Sequence, residues 1–226
     1  MALLTLSIQL HKIHDNKKLF TLNNIIEIMM KSFSCTIFSI LIHIFQPSTT
    51  LSNQLYYPSA DATLRKDKRD TNFGFQSHMT VTKHESTRSR IGLMKFDTTN
   101  IYKDGNFTAS LMLHIDSMDD DGEYRTVNIC KVHPDSDFEE DEVTWKNYEP
   151  GECSGKSLSF DVHRDDAGRT GQINIAELIN PEEDSLVLTL RVESGGHIKL
   201  ASKDHPKIAR IPRLLVSQHG GYEDEV

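Results

Sequence analysis

The chain has 226 residues, of which 37% are hydrophobic, and a formal net charge of −8 at pH 7. This length accommodates one domain of about 150 residues beside a processed leader, because most domains have about 100 to 150 residues. A chain this acidic is not expected to bind nucleic acid, whose phosphates attract basic proteins.

The first fifty residues contain the features of a signal peptide. An apolar run of 13 residues, 33–45, follows Lys31 and precedes the polar stretch PSTTLSNQ. This order is typical of signal peptides, and the run is too short to span a bilayer, which takes about 20 residues. We therefore predict a signal peptide over residues 30–52, cleaved near Ser52, and a secreted, extracellular protein with no membrane association afterwards.

Residues 1–29 have no signal features of their own and are interpreted as a leader. Two alternatives stay open for them. Translation starts at Met29 or Met30, or the leader is a short amphipathic or disordered extension.

Secretion would bear on two further groups of residues. If Cys35 leaves with the signal peptide, Cys130 and Cys153 remain, and an oxidising compartment favours a disulfide between them. The alternative is two buried or free thiols. Asn106, in the sequence NFT, is a glycosylation acceptor in a eukaryotic secretory route and predicts an exposed turn.

From Tyr56 onward the chain consists of short alternating runs separated by turns rich in Gly, Asp, Asn and Pro. Period-two alternation over four to eight residues indicates strands, and the only helical candidate is the short segment from Ile173 to Ile179. This pattern predicts an all-β fold, an antiparallel two-sheet β-sandwich or jelly roll, over residues 56–217. Residues 218–226 are expected to form a disordered tail. The alternating runs are ATLR, HMTVTK, GLMKFD, ASLMLHI, RTVNICKV, SLSFDV, SLVLTLRV and HIKLAS.

Three segments resemble ligand-binding or catalytic motifs without meeting their requirements. In GECSGKS, three residues separate Gly151 from Gly155 where a phosphate-binding loop needs four. In SMDDDGEYRTVN, alignment on Gly122 places Asn128 where a calcium loop needs a bidentate Glu. The acidic run at residues 138–145, FEEDEVTW, is predicted to be a solvated loop, because mutually repelling carboxylates are a poor general acid and base pair.

Eight histidines lie beyond the leader, and none forms an HExxH pair or a tight cluster with a carboxylate at metal-ligand spacing. We interpret them as surface or turn residues and predict no metal ligands among them. They are His78, His84, His114, His133, His163, His197, His205 and His219.

An ordered series of segments gives the chain a family resemblance. The series is DATLR, DTNFG (70–74), TVTK, SRIGLMKFD, ASLMLHI, EDEVTWKNYEPG, SFDV and LASKDHPKIARI. It resembles carbohydrate-binding module family 96, the DNRLRE domain, over nearly all of residues 56–217. The resemblance implies a jelly-roll module that binds polysaccharide without cleaving it, with acidic polyuronates such as alginate among the ligand classes, through basic residues on one sheet face. The matching basic residues are Arg65, Lys83, Arg90, Lys95, Lys199 and Lys203.

Alternation supports part of this expectation independently. In GLMKFD, Lys95 faces away from Met94 and Phe96, and in HIKLASK, Lys199 faces away from Ile198. If the two strands are neighbours, their cations converge on the face away from the core. The excess acids of residues 116–152 would then make a charge-segregated sandwich. The alternative is that these cations are solvated or paired with acids across the sheet.

These observations predict a secreted, monomeric, non-catalytic module that binds polysaccharide such as alginate or pectin. We expect Trp145, the only tryptophan, to pack against the protein rather than stack on a sugar. No cofactor is predicted, and a structural Ca²⁺ near Asp61 or another loop acid stays open. The alternatives are a polysaccharide lyase or hydrolase on a β scaffold, and a secreted protein-interaction module.

Overall fold

The computed structural model describes residues 52–84, 88–101, 107–119, 122–133, 136–148, 153, 156–193 and 195–218. The predicted leader, nearly all of the predicted signal peptide, the sequon residue Asn106 and the tail after Gln218 lie outside the described residues. No helix in the described part of the chain is long and apolar enough to cross a membrane.

The described residues form antiparallel strands and three single-turn 3₁₀ helices, which confirms the all-β, antiparallel class. The helical candidate at residues 173–179 becomes the end of one strand and the second of these turns, Ala176–Leu178. The other two turns are Arg164–Asp166 and Ile208–Arg210. The strands are β1 (Ser52–Tyr56), β2 (Ala60–Arg65), β3 (His78–Lys83), β4 (Arg90–Asp97), β5 (Phe107–Met118), β6 (Tyr124–Lys131), β7 (Ser157–His163), β8 (Thr170–Asn174), β9 (Ser185–Val192), β10 (Gly196–Ala201) and β11 (Arg213–Gln218).

The strands pair in the order β1-β11-β5-β10-β3-β4-β9-β6-β7, with β2 beside β4 and β8 beside β5. This connected sheet is curled into a half-barrel. The long strand β5 joins its two parts, because residues 107–114 pair with β11 or β8 and residues 115–118 pair with β10. The two-sheet jelly roll stays a prediction.

The main hydrophobic core follows from the alternation of the strands. Met94 and Phe96 are fully buried, as the sequence predicted. Successive side chains of a strand point to opposite faces, so each strand contributes every second residue. The same core contains Val81, Leu111, Leu113, Val127, Ile129, Leu186, Leu188, Leu190, Ile198, Leu200, Leu214 and Val216.

A second cluster lies on the opposite face of β2 and β4. Alanine and leucine side chains of β2 pack there with Ile91 and Leu93 of β4. Residues 132–133 and 136–148, which we call the covering segment, lie over them. The covering side chains are Val132, Phe138, Val143 and Tyr148, with Trp145 packed against the cluster. The packing prediction for Trp145 is confirmed. The prediction of a solvated loop at residues 138–145 is wrong for Phe138 and Val143, which are buried.

The DTNFG segment holds this covering segment in place. The side-chain amide of Asn72 donates hydrogen bonds to the carbonyls of Glu140 and Val143, and its side-chain oxygen accepts one from Gly74 N–H. A Cβ atom on Gly74 would lie 2.2 Å from the Glu140 carbonyl oxygen, so the close approach of the two backbones requires glycine.

The disulfide Cys130–Cys153 is present, with its Cα atoms 5.4 Å apart. This confirms the predicted pairing. The bridge fixes the chain beyond the covering segment to the end of β6.

Candidate functional site

The six basic residues predicted to bind polysaccharide do not form one continuous face. Strand β3 lies between β4 and β10, so the strands that carry Lys95 and Lys199 are not neighbours. Lys95 shares its face of β4 with Ile91 and Leu93, and therefore lies at the second hydrophobic cluster. Lys95 and Lys199 were expected to converge only if their strands were neighbours, and these strands are not neighbours.

Acids of the covering segment pair with two of the predicted lysines. Lys95 Nζ lies 2.7 Å from Asp137 Oδ2, and Lys203 Nζ lies 2.8 Å from Glu140 Oε2. Lys203 also lies 3.3 Å from Asp204 Oδ1. Acids of the covering segment therefore pair with these lysines. The expected separation of basic and acidic faces does not occur around Lys95 and Lys203.

Lys203 is also the cation beside Asp61, the residue suggested for structural Ca²⁺. The backbone N–H of Lys203 donates to Asp61 Oδ2, and Glu140 Oε1 accepts a hydrogen bond of 3.1 Å from the Asp61 backbone N–H. Burial, with the charge of Glu140 adding to it, raises the pKa of Asp61 to about 7 although the Lys203 N–H opposes this shift.

Arg65 and Arg90 face each other across β2 and β4. Arg65 forms a fork with Asp67 at 2.6 and 3.1 Å, and its guanidinium lies 5.0 Å from the centre of the Phe73 ring. Arg90 Nε is buried and has no hydrogen-bond partner. Burial, together with the charge of Arg65, lowers the pKa of Arg90. The pair keeps two positive charges close together, and Asp67 is the carboxylate that pairs with Arg65.

Residues of β3, β6 and β9 line a cavity of about 350 Å³, which we call the polar pocket. Thr82 lines this pocket and is the register partner of Arg90 in the pairing of β3 with β4. The pocket is lined by Thr82, Lys83, Ser89, Asn128, Cys153, Arg191, Val192 and Glu193. Of the six predicted residues, Lys83 lines the pocket, and Arg90 is the register partner of the lining residue Thr82.

A hydrogen-bond network centred on Glu193 forms one wall of the pocket. Ser159 Oγ donates to Glu193 Oε1 at 3.0 Å, and Asn128 Nδ2 lies 3.5 Å from the same oxygen and 3.3 Å from Ser159 Oγ. Lys83 Nζ donates to the Glu193 carbonyl oxygen at 2.6 Å. The network fixes amide, hydroxyl, ammonium and carboxylate groups at one place on the surface.

Strand alternation explains why these polar side chains share a face. Asn128 lies between the buried Val127 and Ile129, and Arg191 lies between the buried Leu190 and Val192. Asn128 is also the register partner of both Ser159 on β7 and Arg191 on β9. One row across three strands therefore presents polar groups away from the core.

The sequence analysis did not identify Asn128, Arg191 or Glu193. The signal available was the alternation in RTVNICKV and SLVLTLRV, which places Asn128 and Arg191 opposite apolar neighbours. Their proximity depends on the pairing of β6 with β9, which no local pattern specifies.

Lys199 lies apart from the polar pocket, opposite Thr80 on β3 and Ser117 on β5. Its strand runs beside a group of histidines. The interpretation of the histidines as surface or turn residues is wrong for His114, which is buried within β5, and His205 is buried although it does lie in a turn.

The model of carbohydrate-binding module family 96 matches residues 52–217, a range that covers β1 to β10 and all but the last residue of β11. No curated protein matches the chain.

Proposed function

Because the chain belongs to carbohydrate-binding module family 96, we propose that it binds polysaccharide without cleaving it, at the polar pocket. The observation that carries this proposal is the network of Asn128, Ser159 and Glu193 beside Lys83. Sugar hydroxyls both donate and accept hydrogen bonds, so a site for them needs fixed groups of both kinds. The network supplies them.

We propose further that the polysaccharide contains uronic acid. Among the described residues that line the polar pocket, Lys83 and Arg191 are the cations and Glu193 is the carboxylate. The arginine pair adds two cations, with Asp67 as its paired acid. Four cations thus stand against two carboxylates in a chain whose net charge is −8. A sugar carboxylate at this place would replace the water that solvates the positive charges.

Arg90 is the residue best suited to orient a uronate. Guanidinium groups bind carboxylates through two parallel hydrogen bonds, whereas an ammonium is a point charge. Arg65 is already engaged by Asp67, while Arg90 has a buried Nε without a hydrogen-bond partner. In this proposal Arg90 orients the sugar acid and Lys83 adds attraction.

Retention of variants on alginate and pectin, with a neutral glucan for comparison, tests the site. We expect Arg90→Gln to weaken binding at least about tenfold, since a hydrogen bond to a charged group contributes about 1.5 to 3 kcal/mol. Lys95→Gln is the matched control, because Lys95 is engaged by Asp137 outside the pocket and its loss should change binding less than about twofold. Equal effects of Lys95→Gln and Arg90→Gln would refute the site.

Two further measurements separate the anionic preference from binding itself. Retention on polyuronates should weaken as salt is raised, because exposed charges are screened. Retention that is stronger on the neutral glucan and insensitive to salt would leave carbohydrate binding intact and overturn the uronate preference.

The alternative functions have their own tests. A lyase would release unsaturated products that absorb in the ultraviolet when it is incubated with polyuronate, and a hydrolase would release reducing ends. A protein-interaction module would lose binding to whole cells after protease treatment but not after polysaccharide digestion. We expect neither result.

An extracellular location and a two-sheet sandwich also belong to the proposal. The disulfide Cys130–Cys153 is consistent with an oxidising compartment. Side chains from both parts of the curled sheet contribute to one main core, as in sheets packed face to face. N-terminal sequencing of secreted material should find cleavage near Ser52, and gel filtration should find a monomer.

A further inference from the structure

Three histidine rings surround the carboxylate of Asp116 on the outer side of β5. His78 Nε2 lies 3.2 Å from Asp116 Oδ2, and the Nε2 atoms of His114 and His205 lie 3.7 and 3.9 Å from Asp116 Oδ1. The His78 and His205 rings meet edge to face, with their centres 5.3 Å apart. Three separate parts of the chain, β3, β5 and the turn after β10, supply these groups.

Asp116 lies on the same face of β5 as His114 and at a β-bulge. In the pairing of β10 with β5, Lys199 lies opposite Ser117 and Leu200 lies opposite Ile115, so Asp116 is the extra residue. Bulges are common beside functional sites.

The cluster is buried and contains polar atoms without hydrogen bonds. The exposed fractions of the side chains are 9% for Asp116, 7% for His114 and 4% for His205. Asp116 Oδ2 and His114 Nε2 have no hydrogen-bond partner, because the 3.2 Å contact of Asp116 Oδ2 with His78 lacks hydrogen-bond geometry. A buried polar atom without a partner costs stability unless a ligand satisfies it.

Each ring is held by its other nitrogen, which leaves Nε2 directed at Asp116. His78 Nδ1 lies 2.7 Å from Ser77 Oγ, and His114 Nδ1 lies 3.1 Å from Thr170 Oγ1. His205 Nδ1 lies 3.0 Å from the Lys207 backbone nitrogen and 3.3 Å from the Lys207 carbonyl oxygen, so this ring offers a free Nε2 lone pair only as the tautomer whose Nδ1–H donates to the carbonyl. Metal-binding histidines are held in this manner, with one nitrogen on the metal and the other hydrogen-bonded to the protein.

We propose that His78, Asp116 and His205 bind a divalent transition metal of the zinc class. His114, whose Nε2 lies 3.7 Å from Asp116 Oδ1, is the candidate for a fourth ligand. One ligand atom from each of the first three residues lies within 4.8 Å of the others. Bonds of about 2.0 to 2.1 Å in a tetrahedron place ligand atoms about 3.3 Å apart. The contact between His78 and Asp116 has this length already, and small side-chain rotations would bring the others to it.

Arg210 leaves one carboxylate oxygen for the metal. Its NH1 donates to Asp116 Oδ1 at 2.8 Å, whereas Oδ2 faces His78. Lys199 and Lys207 add positive charge near His78 and His114, respectively. These cations repel a metal ion, so we expect affinity below that of structural zinc sites made of thiolates.

Titration of the purified protein with ZnCl₂ by calorimetry tests the site. We expect one ion per chain, and a rise in the midpoint of thermal unfolding of roughly 5 to 10 °C at a free zinc concentration 100 times Kd. Co²⁺ in place of zinc should give the visible bands of a tetrahedral complex. The absence of saturable binding at one ion per chain would overturn the proposal.

Variants identify the ligands. His78→Gln and His205→Gln should each lower zinc affinity at least about tenfold, and His78 is 28% exposed, so its replacement should not prevent folding. His197→Gln, on β10 with a side chain 51% exposed, is the matched control and should bind as the unaltered protein does. Unchanged zinc affinity in His78→Gln would refute the assignment. The readout is independent of polysaccharide retention, so the two proposals fail separately.

Discussion

The side-chain amide of Asn72 bonds to the backbone carbonyl oxygens of Glu140 at 2.7 Å and of Val143 at 2.8 Å, across about seventy residues of sequence. Through these two bonds the DTNFG segment holds the acidic covering segment on β2 and β4. DTNFG, one of the segments of the family resemblance, thus has a structural role here, and the segment it holds carries the acids that pair with Lys95 and Lys203.

Asn72→Ala should lower the free energy of unfolding by about 2 to 3 kcal/mol, because it leaves two carbonyl oxygens without their donor. Urea unfolding followed by tryptophan fluorescence measures this change, since Trp145 lies in the segment concerned. Asn53→Ala, at an exposed position of β1, is the control and should stay within about 0.5 kcal/mol of the unaltered protein. Equal stability of the two variants would contradict the role assigned to Asn72.

Gly74→Ala should destabilise the protein by about 2 to 3 kcal/mol. The added Cβ would lie 2.2 Å from the Glu140 carbonyl oxygen, so one of the two backbone segments must shift. Gly195→Ala is the matched control, because no atom lies within 4 Å of its added Cβ. Thermal unfolding of both variants measures the difference, and a Gly74→Ala protein as stable as Gly195→Ala would show that the close approach is not required.

The stability of the protein should depend on pH through Asp61. Burial raises its pKa from 3.8 to about 7, so the folded state binds the proton more tightly than the unfolded state does. The stability that this proton provides is complete below about pH 4 and is lost as the pH rises toward and through 7.

Between pH 5 and pH 8 we therefore expect Asp61 to lower the free energy of unfolding by roughly 2 to 3 kcal/mol. Asp61→Asn keeps an oxygen that can accept the Lys203 N–H and should remove this part of the pH dependence. Asp70→Asn, whose carboxylate is 72% exposed, is the control and should follow the unaltered protein. Parallel profiles for Asp61→Asn and the unaltered protein would rule out the raised pKa.

Replacing both bridged cysteines, Cys130→Ala with Cys153→Ala, should lower the free energy of unfolding by about 3 kcal/mol. The bridge joins residues 23 positions apart, and closing a loop of that length restricts the unfolded chain by about this amount. Chemical denaturation of the oxidised, reduced and doubly substituted proteins measures the effect. The reduced and substituted proteins should agree, and a reduced protein as stable as the oxidised one would contradict the expectation.

Local patterns were sufficient to predict the strand class and the direction of many side chains. Alternation correctly placed Met94 and Phe96 in the core and Lys199 on the face away from Ile198. The disulfide pairing followed from counting cysteines, and the packing of Trp145 from its being the only tryptophan, in a strand-like run with Val143. These properties depend on residues close in sequence, or on there being few partners to choose from.

The candidate site could not be predicted in the same way, because it depends on which strands become neighbours. The prediction grouped Lys95 with Lys199, but β3 lies between their strands. Lys95 instead forms an ion pair with Asp137. Asn128 and Arg191 meet only through the pairing of β6 with β9. His78 and Asp116 are 38 positions apart and lie on strands at either side of β10, so their contact depends on the pairing of β10 with both β3 and β5.

Strand β5 has a consequence for the way the protein unfolds. Its twelve residues pair with β11 and β8 in one part of the sheet and with β10 in the other, so neither part keeps its full hydrogen bonding if β5 detaches. The first and last described strands, β1 and β11, are also paired with each other. Contacts between such distant parts of a chain make folding slow, because long loops must close before the contacts form. The two parts of the sheet should therefore lose structure together, in one cooperative transition seen alike by every probe.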